Sequence, residues 1–189
     1  MERFIMQDLI DWKNRKDRKP LILLGARQVG KTYILKELGQ REFENVAYIN
    51  CDNNAMAKDL FALDYNIDRI LLTIGAITGV NIEAGKTLII MDEIQELHRG
   101  LASLKYFCEN AREYHVAVAG SLLGLALHQG ESYPVGKVNT LEMYPMTFEE
   151  FLWARGFKQR MDLLQHGMWN VVKSLRTLYI QHLREYYLV

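Results

Sequence analysis

The fold of this chain is decided by the stretch Leu21-Ile22-Leu23-Leu24-Gly25-Ala26-Arg27-Gln28-Val29-Gly30-Lys31-Thr32. Its first four residues form a short apolar run, which is typical of a strand buried on both faces of a parallel sheet. The next eight match the pattern G-x-x-x-x-G-K-[ST] at every position, and a helix is predicted to begin at Lys31. Strand, glycine-rich turn and helix, in this order, are the context that this phosphate-binding pattern requires.

Each residue of the glycine-rich turn has a physical role in holding phosphate. Glycine lets phosphate oxygens approach the main chain, and successive N–H groups then point at the anion beside a helix N-terminus. Lys31 is expected to reach the β- and γ-phosphates, and the Thr32 hydroxyl to bind Mg²⁺. The alternative is a plain strand–turn–helix connection that uses glycine for its geometry. The predicted nucleotide-binding residues are Gly25, Ala26, Arg27, Gln28, Val29, Gly30, Lys31 and Thr32.

Two acidic residues follow a second apolar run, Thr87-Leu88-Ile89-Ile90-Met91-Asp92-Glu93. Ligands of open α/β sheets gather at the carboxyl ends of the strands, so Asp92 is expected beside the phosphate loop. There Asp92 can hold Mg²⁺ through its water shell, and Glu93 can take a proton from the water that attacks the γ-phosphate. The alternative is that both acids begin the next helix, where negative charge is favourable.

Further strands are predicted at residues 46–50, 116–120 and 138–143, and helices at 3–13, 31–40, 54–63, 67–78 and about 97–113. Short apolar strands that alternate with helices predict an α/β fold with a parallel sheet of about five strands.

Three further polar residues keep two interpretations each. Ser121, at the end of the fourth strand, could orient the attacking water or sense the γ-phosphate, or it could cap a short helix at 122–127, and the functional and capping roles are compatible. Lys137 either reaches a phosphate of its own or a neighbouring subunit's nucleotide, or lies solvated in a loop. Arg27 is either exposed or a contact to the γ-phosphate or a partner.

The segment after the predicted fifth strand is helical. Thr147 and Glu150 form a capping-box pattern, which predicts a helix from 148 to about 154 that Gly156 stops. Residues 160–187 form a long, helix-like tail that is rich in leucine and tyrosine. We therefore expect a core at 1–156 and a helical extension at 157–189.

The composition excludes several function classes. Apolar residues make up 49% of the 189 residues and charged residues 24%, and 23 basic residues balance 23 acidic ones. Zero formal charge gives no support for broad binding to nucleic acid or anionic lipid, although a specific nucleic-acid contact stays open. The longest apolar run, 70–80, is far shorter than the ~20 residues of a membrane span. The start is unlike a signal peptide, so no membrane association and a cytoplasmic location are expected.

Four segments together resemble a group of prokaryotic AAA+ ATPases: residues 20–32, which include the Walker A motif, 90–95 with the Walker B acids, 119–121 and 144–151. The resemblance covers nearly the whole chain. It implies a P-loop NTPase three-layer sandwich that binds ATP, and Ser121 as the polar sensor. It also implies that the strand of the catalytic glutamate is inserted between the phosphate-loop strand and its neighbour.

The same resemblance implies partners. Family members often carry arginine at the position of Lys137. They also complete their nucleotide sites between subunits, and this second property implies a homo-oligomer. In the family, a sequence like residues 183–189 leads into a C-terminal domain of unknown function, so such a domain is expected as a partner.

The leading hypothesis is an ATPase that uses ATP and Mg²⁺ and releases ADP, with Glu93 as base, Asp92 and Thr32 as magnesium ligands and Lys31 as charge stabiliser. The second hypothesis is an ATP-gated switch with little turnover, since binding motifs look alike in both. A small-molecule kinase is disfavoured because Glu93 directly follows Asp92 and no arginine-rich lid is evident. A GTPase is disfavoured because the chain lacks an N/T-K-x-D motif.

Overall fold

A computed structural model describes residues 2–52, 54–121 and 134–188 of the chain, with the side chain of Ser121 outside this description. The described chain divides into two compact units. The larger unit is Ile5–Tyr144, and the smaller one combines the first four residues with Pro145–Val189.

The larger unit is built around five parallel strands: β1 (Leu21–Gly25), β2 (Asn45–Asn50), β3 (Thr87–Asp92), β4 (His115–Ser121) and β5 (Asn139–Met143). Their order in the sheet is β2-β3-β4-β1-β5. The α/β fold with a five-stranded parallel sheet is therefore confirmed. The inner strands β3, β4 and β1 are short, mostly apolar runs because helices cover both faces of such a sheet, whereas the edge strand β5 alternates polar and apolar residues.

The predicted position of the catalytic-glutamate strand is wrong. Strand β3, which ends in Asp92, lies between β2 and β4 rather than beside the phosphate-loop strand. The inserted strand is β4, which pairs with β1 on one side and with β3 on the other. Gly25 of β1 is in register with Ser121, and Asp92 is in register with Ala119.

Helices flank the sheet in the larger unit: α1 (Ile5–Asn14), α2 (Lys31–Glu42), α3 (Ala55–Lys58), α4 (Ile67–Thr78) and α5 (Gly100–Asn110). A 3-10 turn, Ile94–Glu96, connects β3 to α5. Helices α1 and α2 pack on one face of the sheet through residues such as Leu9 and Ile34. Helices α3, α4 and α5 pack on the other face, which completes the three-layer sandwich.

Alternation along the strands explains how both faces are filled. Leu21 and Leu23 of β1 face the α1–α2 layer, whereas Ile22 between them faces the α4–α5 layer. All three side chains are fully buried. The two cysteines, Cys51 and Cys108, are free and buried.

The smaller unit contains four helices: α6 (Phe148–Ala154), α7 (Lys158–Gln165), α8 (Trp169–Ser174) and α9 (Arg176–Tyr186). The capping box of α6 is present, since Thr147 Oγ1 accepts from the Glu150 N–H and Glu150 Oε2 accepts from the Thr147 N–H. Buried Glu150 also pairs with Arg3 at 3.0 Å. The tail predicted as one long helical stretch is thus broken into three helices.

The unit division at Pro145 lies upstream of the boundary expected after Gly156. A functional boundary at 156 stays a prediction. Within the described ranges, no helix is both long enough and apolar enough to cross a membrane.

Candidate active site

A cavity of about 500 Å³ opens where the carboxyl ends of β1 and β3 meet the start of α2. The walls contain cations from the phosphate loop, acids from the end of β3 and the turn after it, and polar groups from α2 and the segment after β2. The lining residues are Arg27, Gln28, Gly30, Lys31, Thr32, Tyr33, Asp52, Asp92, Glu93 and Glu96. The structure therefore brings together the phosphate loop and the strand-end acids that the sequence singled out.

The phosphate loop requires glycine at both of its fixed positions. A Cβ atom on Gly25 would lie 2.4 Å from the carbonyl oxygen of Met143 in β5, so only glycine fits there. Gly30 caps α2 with φ 97°, a left-handed conformation that side chains disfavour. Gln28 also has a positive φ of 66°, which is strained for a residue with a side chain. This tight loop leaves the main chain bare at the N-terminus of α2, as an anion cradle requires.

Lys31 is the first residue of α2, and its ammonium group is folded back over the loop. Its Nζ donates to the carbonyl oxygens of Gly25 at 3.0 Å and Ala26 at 2.7 Å. Burial lowers the pKa of Lys31, while the charges of Glu93 and Asp92 raise it in opposition. The ammonium group is thus held against two carbonyl oxygens of the loop. It is also close enough to Asp92 and Glu93 for their negative charges to affect its pKa.

Asp92 accepts two hydroxyl hydrogen bonds on one oxygen. Thr32 Oγ1 donates to Asp92 Oδ2 at 2.5 Å, and Tyr48 Oη donates to the same atom at 3.3 Å. Tyr48 lies on β2, and the ammonium group of Lys36 sits 3.4 Å from the centre of its ring. Burial, followed by the negative charge of Asp92, raises the pKa of Tyr48 to about 12, so its hydroxyl remains a donor at neutral pH.

Glu93 directly follows β3 and turns the chain. Its backbone is left-handed, at φ 53° and ψ 48°, and the 3-10 turn begins at the next residue. The side-chain amide of Gln95 donates to Glu93 Oε2 at 2.5 Å. Asp92 and Glu93 therefore both line the cavity although they are neighbours in the chain.

The charges of the cavity favour an anion together with a cation. Four carboxylates line it against two basic side chains, so a triphosphate alone would meet repulsion as well as attraction. A divalent cation between the acids and the phosphates removes this conflict. No cluster of three or more His, Cys, Asp or Glu residues able to hold a metal occurs in the described ranges. A site with few protein ligands is suited to Mg²⁺, because this ion keeps several of its waters and binds only one or two protein groups together with phosphates. Thr32 and Asp92 fit that role.

Three other polar residues that the sequence singled out, Ser121, Lys137 and Arg27, differ in what the structure shows of them. Ser121 ends β4 in register with Gly25, but its side chain lies outside the described part of the chain, as does the predicted helix 122–127. Its sensor role stays a prediction. Lys137 pairs with Glu109 at 2.8 Å, and this contact raises the pKa of Lys137. Arg27 is exposed in the loop and lines the cavity.

Sequence reasoning missed Tyr48 and Gln95. Tyr48 pairs in register with Ile90, two residues before Asp92, and shares its side of the sheet. Period-2 alternation along β2 was a signal for this proximity, but only once the pairing of β2 with β3 was known. Gln95 contacts Glu93 because the chain bends between them, and a helical or strand-like periodicity in the sequence does not reveal such a bend.

The sheet order, with the phosphate-binding loop after β1 and acids after β3, defines a P-loop ATPase class of domain. A match of residues 17–152 to the AAA domain family model covers more than half of the chain, so the chain belongs to that family.

One relative and two solved structures are similar to this chain. An uncharacterized protein of Methanocaldococcus jannaschii is 29% identical over 165 residues, which cover 79% of this chain and 31% of the relative. The chain thus spans about a third of that relative's length. Two variants of RuvB from Thermotoga maritima superpose with TM-scores of 0.51 over 78% of this chain, at 16% and 18% identity. They are matched over 46% and 45% of their own lengths. At that identity the likeness is one of fold.

Proposed function

We propose that this domain binds ATP with Mg²⁺ in the cavity between β1 and β3 and hydrolyses it to ADP and phosphate. One observation carries the proposal: Thr32 of the phosphate loop and Asp92 at the end of β3 share a hydrogen bond of 2.5 Å, beside Lys31 and Glu93 in one cavity. Loop and strand-end acid are 60 residues apart in the chain, and the fold supports their joint role by placing them in contact.

Each side chain has one task in this proposal. The main chain of the loop and Lys31 bind and orient the phosphates, and Lys31 offsets the charge that develops on them. Thr32 and Asp92 hold Mg²⁺, which when bound neutralises phosphate charge. Glu93 accepts the proton of the attacking water. Ser121 orients that water.

A single substitution tests the base. Glu93→Gln keeps the size of the side chain and removes its ability to take a proton. We expect ATP affinity, measured by calorimetric titration, within about twofold of the unaltered protein. Phosphate release should fall about 10²–10⁴-fold, which is the usual contribution of a general base. The matched control is Glu113→Gln, an exposed glutamate in the turn before β4, at the opposite edge of the sheet.

The result separates this proposal from its alternative. Phosphate release by the Glu93→Gln protein at the unaltered rate would reject Glu93 as the base. Stoichiometric ATP binding without phosphate release in the unaltered protein would reject hydrolysis and favour an ATP-gated switch.

The family resemblance supports two wider proposals. Copies of the chain assemble so that neighbouring subunits complete each site, and the domain works with a C-terminal domain in a longer protein. The relative from Methanocaldococcus jannaschii is about three times the length of the matched part. Sedimentation with and without ATP tests the first, and comparison of a longer form of the protein with this chain tests the second.

A further inference from the structure

We propose that Gln95 is a positioning residue: its carboxamide holds the Glu93 carboxylate in the orientation from which it accepts a proton from water. This inference rests on the proposed ATPase function and assigns a second side chain to the same step. It stands on one contact and on the way the chain builds it.

The contact is a charge-assisted hydrogen bond. Gln95 Nε2 donates to Glu93 Oε2 at 2.5 Å. Gln95 is 7% exposed, whereas Glu93 is partly exposed and lines the cavity. A buried donor to a charged acceptor restrains the acceptor more strongly than water does, because water cannot easily replace it. Glu93 thus lines the cavity, and buried Gln95 restrains it through this hydrogen bond.

Gln95 is mounted on a rigid element. It lies in the 3-10 turn Ile94–Glu96, whose first residue, Ile94, is buried in the core together with Leu97, the residue that follows the turn. Helix α5 closes tightly on this turn, since a Cβ atom on Gly100 would lie 2.8 Å from the Ile94 carbonyl oxygen. The turn cannot shift without disturbing the core, so the carboxamide has a fixed place from which to hold Glu93.

The second polar atom of Gln95 makes the two side chains dependent on each other. Gln95 Oε1 is buried without a hydrogen-bond partner among the described residues. A buried unpaired acceptor is costly, so it needs a reason. Reversing the amide would place this oxygen against the Glu93 carboxylate, which is repulsive. The bond to Glu93 therefore selects the orientation of the carboxamide, and the carboxamide in turn selects the orientation of Glu93.

A specific assignment follows for the carboxylate. Because Gln95 holds Oε2, the oxygen that accepts the proton of the attacking water is Oε1. When one carboxylate oxygen is held, the side chain no longer samples orientations in which neither oxygen can contact the attacking water. This restriction to the reactive orientation is what raises the rate.

The test is Gln95→Met, which keeps the length of the side chain and removes both the donor and the unpaired acceptor. We expect kcat for ATP hydrolysis to fall about tenfold to a hundredfold, while the Kd for ATP stays within twofold. The melting temperature should change little, because the loss of the hydrogen bond to Glu93 and the removal of the unpaired buried oxygen act in opposite directions. The matched control is Gln40→Met, an exposed glutamine near the end of α2.

A double variant distinguishes positioning from a structural role. In a Glu93→Gln background, Gln95→Met should lower the residual rate no further, because the carboxylate that it positions is already gone. Equal losses in both backgrounds would overturn the proposal. So would an unchanged kcat in Gln95→Met, or a loss of kcat matched by losses of ATP affinity and melting temperature.

A second variant covers the case in which Gln95→Met does not fold. Gln95→Glu preserves the shape and places a second carboxyl group against Glu93. The introduced group can donate only while it carries a proton, so activity should increase as the pH is lowered from 8 towards 6, unlike that of the unaltered protein. An unchanged pH–rate profile would overturn the proposal. Phosphate release absent from the unaltered protein would instead reject the ATPase function itself, and this inference with it.

Discussion

His115 makes the stability of the larger unit dependent on pH in a way that the structure quantifies. It is the first residue of β4, is 6% exposed and packs edge-on against Trp12 and Phe43. Its Nδ1 is buried without a hydrogen-bond partner among the described residues. Burial, helped by the positive charge of Arg18, lowers the pKa of His115 to about 4. The perturbation to make is His115→Phe, which keeps an aromatic ring between the same neighbours.

The magnitude follows from proton linkage. Unfolding restores the ordinary histidine pKa of about 6.5, so between that pH and about 4 the unfolded chain binds a proton that the folded chain refuses. The free energy of unfolding therefore falls as the pH drops through this window. The full effect below pH 4 is about 3 kcal/mol, and about 2 kcal/mol of it is lost between pH 7 and pH 5.

The assay is urea unfolding of the unaltered protein and of His115→Phe at pH 7 and pH 5. The unaltered protein should lose about 2 kcal/mol more on acidification than the variant, since other titrating groups contribute equally to both. His98→Phe, at an exposed position before α5, is the matched control and should keep the full pH dependence. An equal loss in the unaltered protein and in His115→Phe would refute the burial argument.

Three further substitutions probe the cavity and the residues that support its walls. Thr32→Val removes the hydroxyl that contacts Asp92 and should weaken Mg²⁺-dependent ATP binding about tenfold or more, while binding measured with EDTA changes little. Tyr48→Phe removes the longer, 3.3 Å bond to the same carboxylate and should raise the Mg²⁺ concentration for half-maximal activity about fivefold; an unchanged value would exclude this role. Gly25→Ala places a Cβ atom 2.4 Å from the Met143 carbonyl oxygen and should lower the free energy of unfolding by about 1–3 kcal/mol, measured in urea, and also weaken ATP binding.

The fold was largely predictable because its strands have sequence patterns that can be recognised without the structure. β1, β3 and β4 are mostly apolar runs, as strands covered on both faces require. The edge strand β5 was predicted from its alternating apolar residues, and each strand was located to within about a residue. Helix ends were less accurate. The helix predicted at 54–63 is only Ala55–Lys58, although Asn54 caps it. The helix predicted from 97 begins at Gly100, because Arg99 adopts a left-handed conformation.

The order of the strands could not be read from periodicity. The described side chains of β3 and β4 are all buried, so neither pattern indicates which of the two strands lies beside β1. The contact between Tyr48 and Asp92 was missed for the same reason, because it depends on the pairing of β2 with β3. By contrast, the phosphate loop and Asp92 were found without knowing the order, because the carboxyl ends of all parallel strands share one edge.

The backbone at Glu93 explains how two consecutive acids can serve one cavity. In a continuing strand, successive side chains point to opposite faces of the sheet, so Glu93 would turn away from the side that Asp92 faces. The left-handed conformation at Glu93 ends β3 and starts the 3-10 turn, and both acids line the cavity. That conformation costs about 1–2 kcal/mol for a residue with a side chain, and the buried Ile94 and Leu97 stabilise the turn that requires it. Core packing thus offsets a local strain whose result is one acid facing Thr32 and the next held by Gln95.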